Sequence, residues 1–391
     1  MSTPNTQSAV VYTNTHEASE AGKSLGEQLL ASLGDSPDAL ILFVSPKYDA
    51  PALLRAVHES CAPKLMVGCS SAGEFTSDMM SEGQACAIGI RSSEVKFAAG
   101  IGRHVSQDRP GAAAGLTSTF KGITSISHGY SSALVLTDAL AGHADELIEQ
   151  LTILTGGNHQ FFGGGAGDDA NFQRTQVFYG LEVASDAVVG LEFLSPKPIG
   201  VGVCHGWYPG SKPMRVTEAH GMVVVSLNAA PAIEAFQAHA EATGQLFNIT
   251  DPMPFFLHNI LGIDTDDGFK LRVPLAAKED GSIVCAAEIP EGASVCIMST
   301  DAASTREAAA KATRSALSQL NGHKPQVALF FDCVATRLRM GREFQDELTA
   351  LKEVLGPVPF AGCNTYGQVA RAEGQFSGFH NCTAVVCVLP S

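Results

Sequence analysis

Two stretches of the chain carry the same pattern. Residues 68–74 read Gly-Cys-Ser-Ser-Ala-Gly-Glu and residues 362–368 read Gly-Cys-Asn-Thr-Tyr-Gly-Gln, each followed by an apolar residue. Glycines on either side of a short turn let the backbone bend tightly and bring N–H groups close to a bound molecule. Ser70, Ser71, Asn364 and Thr365 add hydroxyl and amide partners. Two readings follow. The loops, with Gly73 and Gly367 at their far ends, face one shared pocket into which Arg337 and Tyr366 bring a cation and a phenol. Alternatively, they are two turns that need small residues for packing. A nucleophilic thiol needs a base beside it, and no histidine is near Cys69 or Cys363 in sequence. Small packed residues are the expectation for both, with a thiol-dependent enzyme as the competing function.

Other chemistry is sparse. The run Gly-Gly-Gly-Ala-Gly-Asp-Asp at 163–169 lacks the Lys-Ser or Lys-Thr of a nucleotide loop, and no helix opens after it. Close strand packing is the expectation there, and Asp168 and Asp169 read as solvated turn residues. No C-x-x-C, H-E-x-x-H or C-x-x-C-H occurs, which argues against a zinc finger, a zincin or covalently attached haem. No nucleophile elbow, kinase or dinucleotide signature is present, so the chain reads as a non-enzyme.

These residues need elements to hold them. Asp38–Val44 is a nearly continuous apolar run, residues 46–59 carry helical spacing, and Lys64–Val67 leads into Gly68. The second pattern is preceded likewise by a strand at Gln326–Phe331, an amphipathic helix at Met340–Leu355 and a strand at Val358–Ala361. A looser third copy runs from Ser132 through a helix at Asp145–Leu154 to the glycine run. Strands followed by Ala-rich helices, Glu94–Gly100 and Ser294–Ser299, join the copies. Apolar runs suit strands covered on both faces. The expected fold is α/β: mixed sheets layered with helices, in two pseudo-equivalent halves built from repeated strand-helix-strand-Gly-loop-strand units, divided as 1–240 and 241–391.

With 391 residues, 45% apolar and 17% charged, the chain has material for more than one ordinary core. A net charge of −15 disfavours nucleic acid and anionic membranes as partners. The polar N-terminus, the lack of a span-length apolar run and ten scattered cysteines point to a cytoplasmic, reduced protein.

The stretches 68–74, 163–168 and Val-Cys-His-Gly-Trp at 203–207, with Thr217, resemble the N-terminal half of the FIST sensory domain. Asp-Cys-Val-Ala-Thr-Arg at 332–337 with Gly341, the stretch 359–367 and Phe-His-Asn-Cys-Thr at 379–383 resemble its C-terminal half. Gln368 stands where the family usually has Glu, and Asn228-Ala229 where Asp-Gly is usual. The resemblance implies an intracellular small-ligand sensor in signal transduction. Its stand-alone members imply haem as cofactor, nitric oxide as the gas ligand and a histidine kinase as partner in a two-component system, with self-association to a homo-oligomer left open. No output domain is visible in the sequence, so a separate partner is expected. A single histidine on an apolar wall can hold haem. His205, at a strand end beside Trp207, leads His128 and His380, and another small metabolite remains the alternative ligand.

Overall fold

The computed structural model describes residues 5–123, 129–372 and 378–391. The copies expected from sequence are present, and all three share one register. In the first, Ala39–Val44, the helix Ala50–Cys61 and Leu65–Ser70 form a parallel strand pair with Phe43 opposite Cys69. The return strand Ala85–Ser92 runs antiparallel along the other side of Ala39–Val44. The second uses Tyr130–Thr137, Ala144–Leu154, His159–Gly165 and Ala187–Ser195. The third uses Pro325–Cys333, the helices Val334–Met340 and Phe344–Leu355, Phe360–Thr365 and Ala384–Pro390.

The first glycine of each phrase sits where the parallel strands approach most closely. A Cβ on Gly68 would lie 2.3 Å from the Leu42 carbonyl oxygen, on Gly163 2.1 Å from that of Val135, and on Gly362 1.7 Å from that of Phe330. Each glycine is opposite that same residue in the ladder. Steric exclusion of any side chain thus accounts for the repeated glycine without a ligand.

After its glycine loop, each copy gives a short strand to a neighbour. Glu74–Thr76 pairs with Phe360–Thr365 of the third copy. Gln368–Arg371 pairs with His159–Gly165 of the second. Val177–Tyr179 pairs with Leu65–Ser70 of the first. The exchange closes into a ring of three six-stranded sheets. Their inner faces share one apolar core, where Phe43, Cys69, Leu134, Phe162, Phe331 and Cys363 meet, and Phe43 and Phe331 form an edge-to-face pair at 5.6 Å. Helices cover the outer faces, so these strands are buried on both sides and read as apolar runs.

Each copy also opens with a strand and helix: Thr6–Thr13 with Ala18–Leu33, Lys96–Arg103 with Arg109–Thr117, and Gly200–Cys204 with Ala302–Ser318. The third assignment corrects the expectation for Ser294–Ser299. That strand pairs with Ile260–Thr265 in a separate nine-stranded sheet, which is inserted between Gly200–Cys204 and its helix. Gly200 and Gly202 lie directly under the Ala316 and Ala312 carbonyls, as Gly100 and Gly102 lie under those of Leu116 and Ala112. The division expected between residues 240 and 241 falls inside the helix Ala232–Thr243 of the insert. Among the described residues, no helix is long and apolar enough to cross a membrane.

Candidate functional site

The three glycine loops interlock at one end of the ring. Ala72 N–H donates to the Asn364 carbonyl at 3.0 Å, and Asn364 N–H donates back to Gly73 at 2.8 Å. Gly167 and Asp169 N–H groups donate to Ser70 and Ser71, at 2.9 and 3.2 Å, while Gly165 and Tyr366 bond to the third loop and back, each at 2.9 Å. The backbone groups of these loops therefore face one another.

Side chains at this junction have spare capacity. Glu74 is fully buried. Its carboxyl accepts from Ser71 Oγ and, at 3.0 Å, from Gln84 N–H. Burial nevertheless pushes its pKa up to about 8, against those hydrogen bonds, with Asp169 adding to the rise and Arg337 opposing it. Asp169 is also raised by burial, opposed by Lys47, Ser45 and Arg337. Its Oδ2 accepts from Ser45 Oγ at 3.2 Å and lies 3.8 Å from Lys47 Nζ. Arg337 leans against Gly73, whose Cβ position is 3.3 Å from Nη1 and 2.9 Å from Asn364 Oδ1, and Arg337 pairs with the exposed Glu82. Among the described residues, Asp169 Oδ1, Arg337 Nε, Asn364 Nδ2 and Gln84 Oε1 are buried without a protein partner. The first copy supplies Glu74, the second Asp169, and the third Asn364 and Arg337. Two acceptors and two donors thus stand unused within one small junction.

The other expected residues have separate places. Cys69 and Cys363 lie at 0% exposure in the ring core. Burial, and then contact with Cys69, hold the Cys363 thiol well above its usual range. Both environments suit packing rather than nucleophilic attack. Ser70 Oγ accepts from Gln176 N–H at 2.9 Å and fixes the second copy's exchanged strand. Gly73 and Gly367 have φ of 128° and 97°, and a Cβ on Gly367 would lie 2.2 Å from the Phe379 ring. Tyr366 faces the second copy's loop. It stacks on Phe172 at 4.4 Å and donates its hydroxyl to Asp168, which also ties the N–H groups of Phe172, Gln173 and Arg174 at 2.8, 2.7 and 2.8 Å. Asp168 is therefore a loop organiser, and Tyr366 belongs to a neighbouring apolar cleft of about 70 Å³.

His205 is held by two hydrogen bonds. His205 Nε2 lies 2.9 Å from the Phe269 carbonyl oxygen, which can only accept, so Nε2 carries the proton; Nδ1 then accepts from Trp207 N–H at 3.2 Å. Both nitrogens are engaged, and burial lowers the pKa of the ring. No lone pair of His205 is open to iron in this arrangement. His380 is buried in the strand Gly378–His380, opposite Gln368. Burial and the cations Lys270 and Arg272 press its pKa down to about 3. His128 lies outside the described residues. Among the described residues, no three His, Cys, Asp or Glu side chains gather to hold a metal.

Glu74 and Asp169 were not expected as site residues. The signal for Glu74 was its place in the repeated phrase, at the position of Gln368. Gln368 makes the same contacts: its Nε2 donates to Thr365 Oγ1 at 2.9 Å, and its Oε1 accepts from Thr383 N–H at 3.2 Å.

Comparison with known proteins accords with this architecture. Residues 38–230 match the FIST N domain and residues 235–371 the FIST C domain. Two uncharacterized proteins of Mycobacterium tuberculosis, MT0656 of strain CDC 1551 / Oshkosh and Rv0628c of strain H37Rv, are each 24% identical over 375 residues, covering 94% of either chain. The ring and its insert are thus a pairing of FIST N and FIST C domains, and the chain belongs to the FIST family of signal-transduction sensor domains.

Proposed function

We propose that the protein is a receptor for a small, carboxylate-bearing polar ligand held where the three loops meet, and that it passes the signal to a separate partner. One observation carries the reading. Buried, unpartnered atoms of Asp169, Arg337 and Asn364, contributed by different copies, converge beside Glu74. A carboxylate would be met by Arg337 and Asn364, and hydroxyl or ammonium donors by Asp169 and Gln84. Because the site draws on three copies, a ligand that contacts them all favours one relative arrangement of the sheets, as a sensor requires. The family resemblance makes a histidine kinase the expected partner. Haem and nitric oxide rest on that resemblance alone, and the placement of His205 does not favour them.

The test is a thermal-shift screen of small carboxylates against the full chain and the Arg337→Ala and Asn364→Ala variants. A compound that raises the Tm of the unmodified protein should lose most of that effect in both variants. A compound stabilising all three proteins equally binds elsewhere and overturns the assignment.

A further inference from the structure

The apolar cleft beside Tyr366 lies between the ring and the inserted sheet. Leu140, Phe172 and Leu338 stand exposed at its rim, Leu257 and Leu275 come from the insert, and Cys333 lines it. Cys333 ends the central strand of the third copy and immediately precedes the helix Val334–Met340, which carries Arg337 to the polar junction and Leu338 to the rim.

Cys333 has a thiol partner. Cys382, in the turn before the return strand, bonds to it side chain to side chain, and both residues belong to one apolar cluster. The ladder places Phe331 opposite Val385. That pair is the last of the ladder, so Cys333 and Cys382 both lie just beyond it, Cys382 in the turn with a φ of 48°. The Cys69–Cys363 pair also meets side chain to side chain, but it lies sealed in the ring core. The Cys333 pair differs in bordering a cleft of about 70 Å³, room for a few water-sized molecules.

We propose that Cys333 and Cys382 form a peroxide-oxidisable dithiol whose disulfide pins the start of the Arg337 helix to the return strand of the third sheet. The Cys333 sulfur attacks one oxygen of hydrogen peroxide, and the O–O bond breaks. One oxygen stays on sulfur as a sulfenic acid, and the other leaves as water after taking the thiol proton. The Cys382 sulfur then attacks the Cys333 sulfur; the S–S bond forms, the S–O bond breaks and a second water departs. Two thiols and one peroxide give one disulfide and two waters, with the two electrons supplied by the sulfurs. The hydrogen bond from Cys382 holds the Cys333 thiol below its usual range, whereas Cys382 is raised by that bond and by burial. Cys333 lines the cleft and Cys382 does not, which makes Cys333 the attacking sulfur and Cys382 the resolving one.

The experiment treats the full-length protein with hydrogen peroxide, blocks remaining thiols under denaturing conditions and maps peptides without reduction. The expected result is a linked peptide pair containing Cys333 and Cys382, lighter by two hydrogens than the reduced pair and restored by dithiothreitol. It should be absent from Cys333→Ser and Cys382→Ser. Hydrogen exchange across residues 334–338 should slow on oxidation of the unmodified protein and stay unchanged in either variant. Full alkylation of both cysteines after peroxide treatment overturns the proposal, as does a linked pair formed by other cysteines. A Cys382→Ala variant, without a new hydroxyl, serves as the second resolving-residue test if Cys382→Ser does not fold.

Discussion

Replacing Glu74 with Gln should stabilise the protein, and by an amount that grows with pH. Glu74 carries a buried carboxyl whose pKa rises from 4.5 to about 8 on folding. The folded chain therefore holds a proton that the unfolded chain releases above the lower value. Between the two, unfolding releases that proton, so stability falls as pH rises, and the loss is complete above the folded value. Each pKa unit corresponds to about 1.4 kcal/mol, so the group costs about 3 kcal/mol at pH 7 and about 5 kcal/mol above pH 8. Gln lacks this penalty and has a template at the same position of the third copy, where Gln368 bonds to Thr365 Oγ1 and Thr383 N–H. In Glu74→Gln, the side-chain amide would meet Ser71 Oγ, and its carbonyl would meet Gln84 N–H. Urea unfolding of both proteins from pH 5 to pH 8 is the assay. The stability difference should be near zero at the acid end and widen by about 1.4 kcal/mol per pH unit. A constant difference across that range would mean that Glu74 is ionised in the folded state, held by Arg337, and would refute the account of the junction.

Three further outcomes follow. Gly362→Ala places a methyl 1.7 Å from the Phe330 carbonyl and should cost about 3 kcal/mol or more, read as a loss of soluble folded protein. Cys363→Ser should keep whatever ligand response the unmodified protein has while losing about 1–3 kcal/mol to an isolated buried hydroxyl, read by thermal shift with and without ligand. His205→Ala leaves the Phe269 carbonyl and the Trp207 N–H without their ring partner and should cost about 1–3 kcal/mol. Added haemin should give the same absorption spectrum with this variant as with the unmodified chain, whereas a Soret shift dependent on His205 would restore it as an iron ligand.

The strands of the ring were legible because two-sided burial leaves its mark in every residue: Ala39–Val44 is buried throughout. The repeat was legible for the same reason, since a glycine is required wherever two parallel strands approach closely. The exchange of strands was not. Glu74–Thr76, Val177–Tyr179 and Gln368–Arg371 are three or four residues long, and their pairing partners lie in other copies, so no local period records them. Ser294–Ser299 was misplaced because it precedes an Ala-rich helix in sequence, while the strand that packs under that helix, Gly200–Cys204, is separated from it by the whole insert. Asp169 looked like a solvated turn residue, and only closure of the ring buries it against Glu74. Tyr366 and Asn364 are two positions apart in one loop, yet one faces Phe172 and the other Gly73, a divergence that the backbone turn between them sets.

The ring also explains why a polar junction at one end can govern the whole molecule. Each loop continues directly into a strand of the next sheet: Glu74 is at once a junction residue and the first residue of the strand paired with Cys363. Val177 reaches the ladder opposite Cys69 from the loop that Asp168 organises, and Gln368 lies opposite Gly164. A shift of any loop is therefore a shift of a strand in a neighbouring sheet. The close glycine contacts and the shared core leave little slack to absorb it locally, since close-packed interiors transmit strain rather than dissipate it. Burial of Glu74 in its neutral form keeps it out of an ion pair with Arg337, whose partner is Glu82; in the receptor proposed above, an incoming anion would take the place of Glu82. Under that proposal, the stability given up by raising the Glu74 pKa and the absence of a Glu74–Arg337 ion pair share one cause. Glu74→Gln replaces the carboxyl with a permanently neutral amide, so ligand affinity should lose its pH dependence between pH 6 and pH 9, while the unmodified protein should bind more weakly as Glu74 ionises near pH 8. Equal affinity at both ends of that range in the unmodified protein would separate the two properties and leave Glu74 a structural residue only.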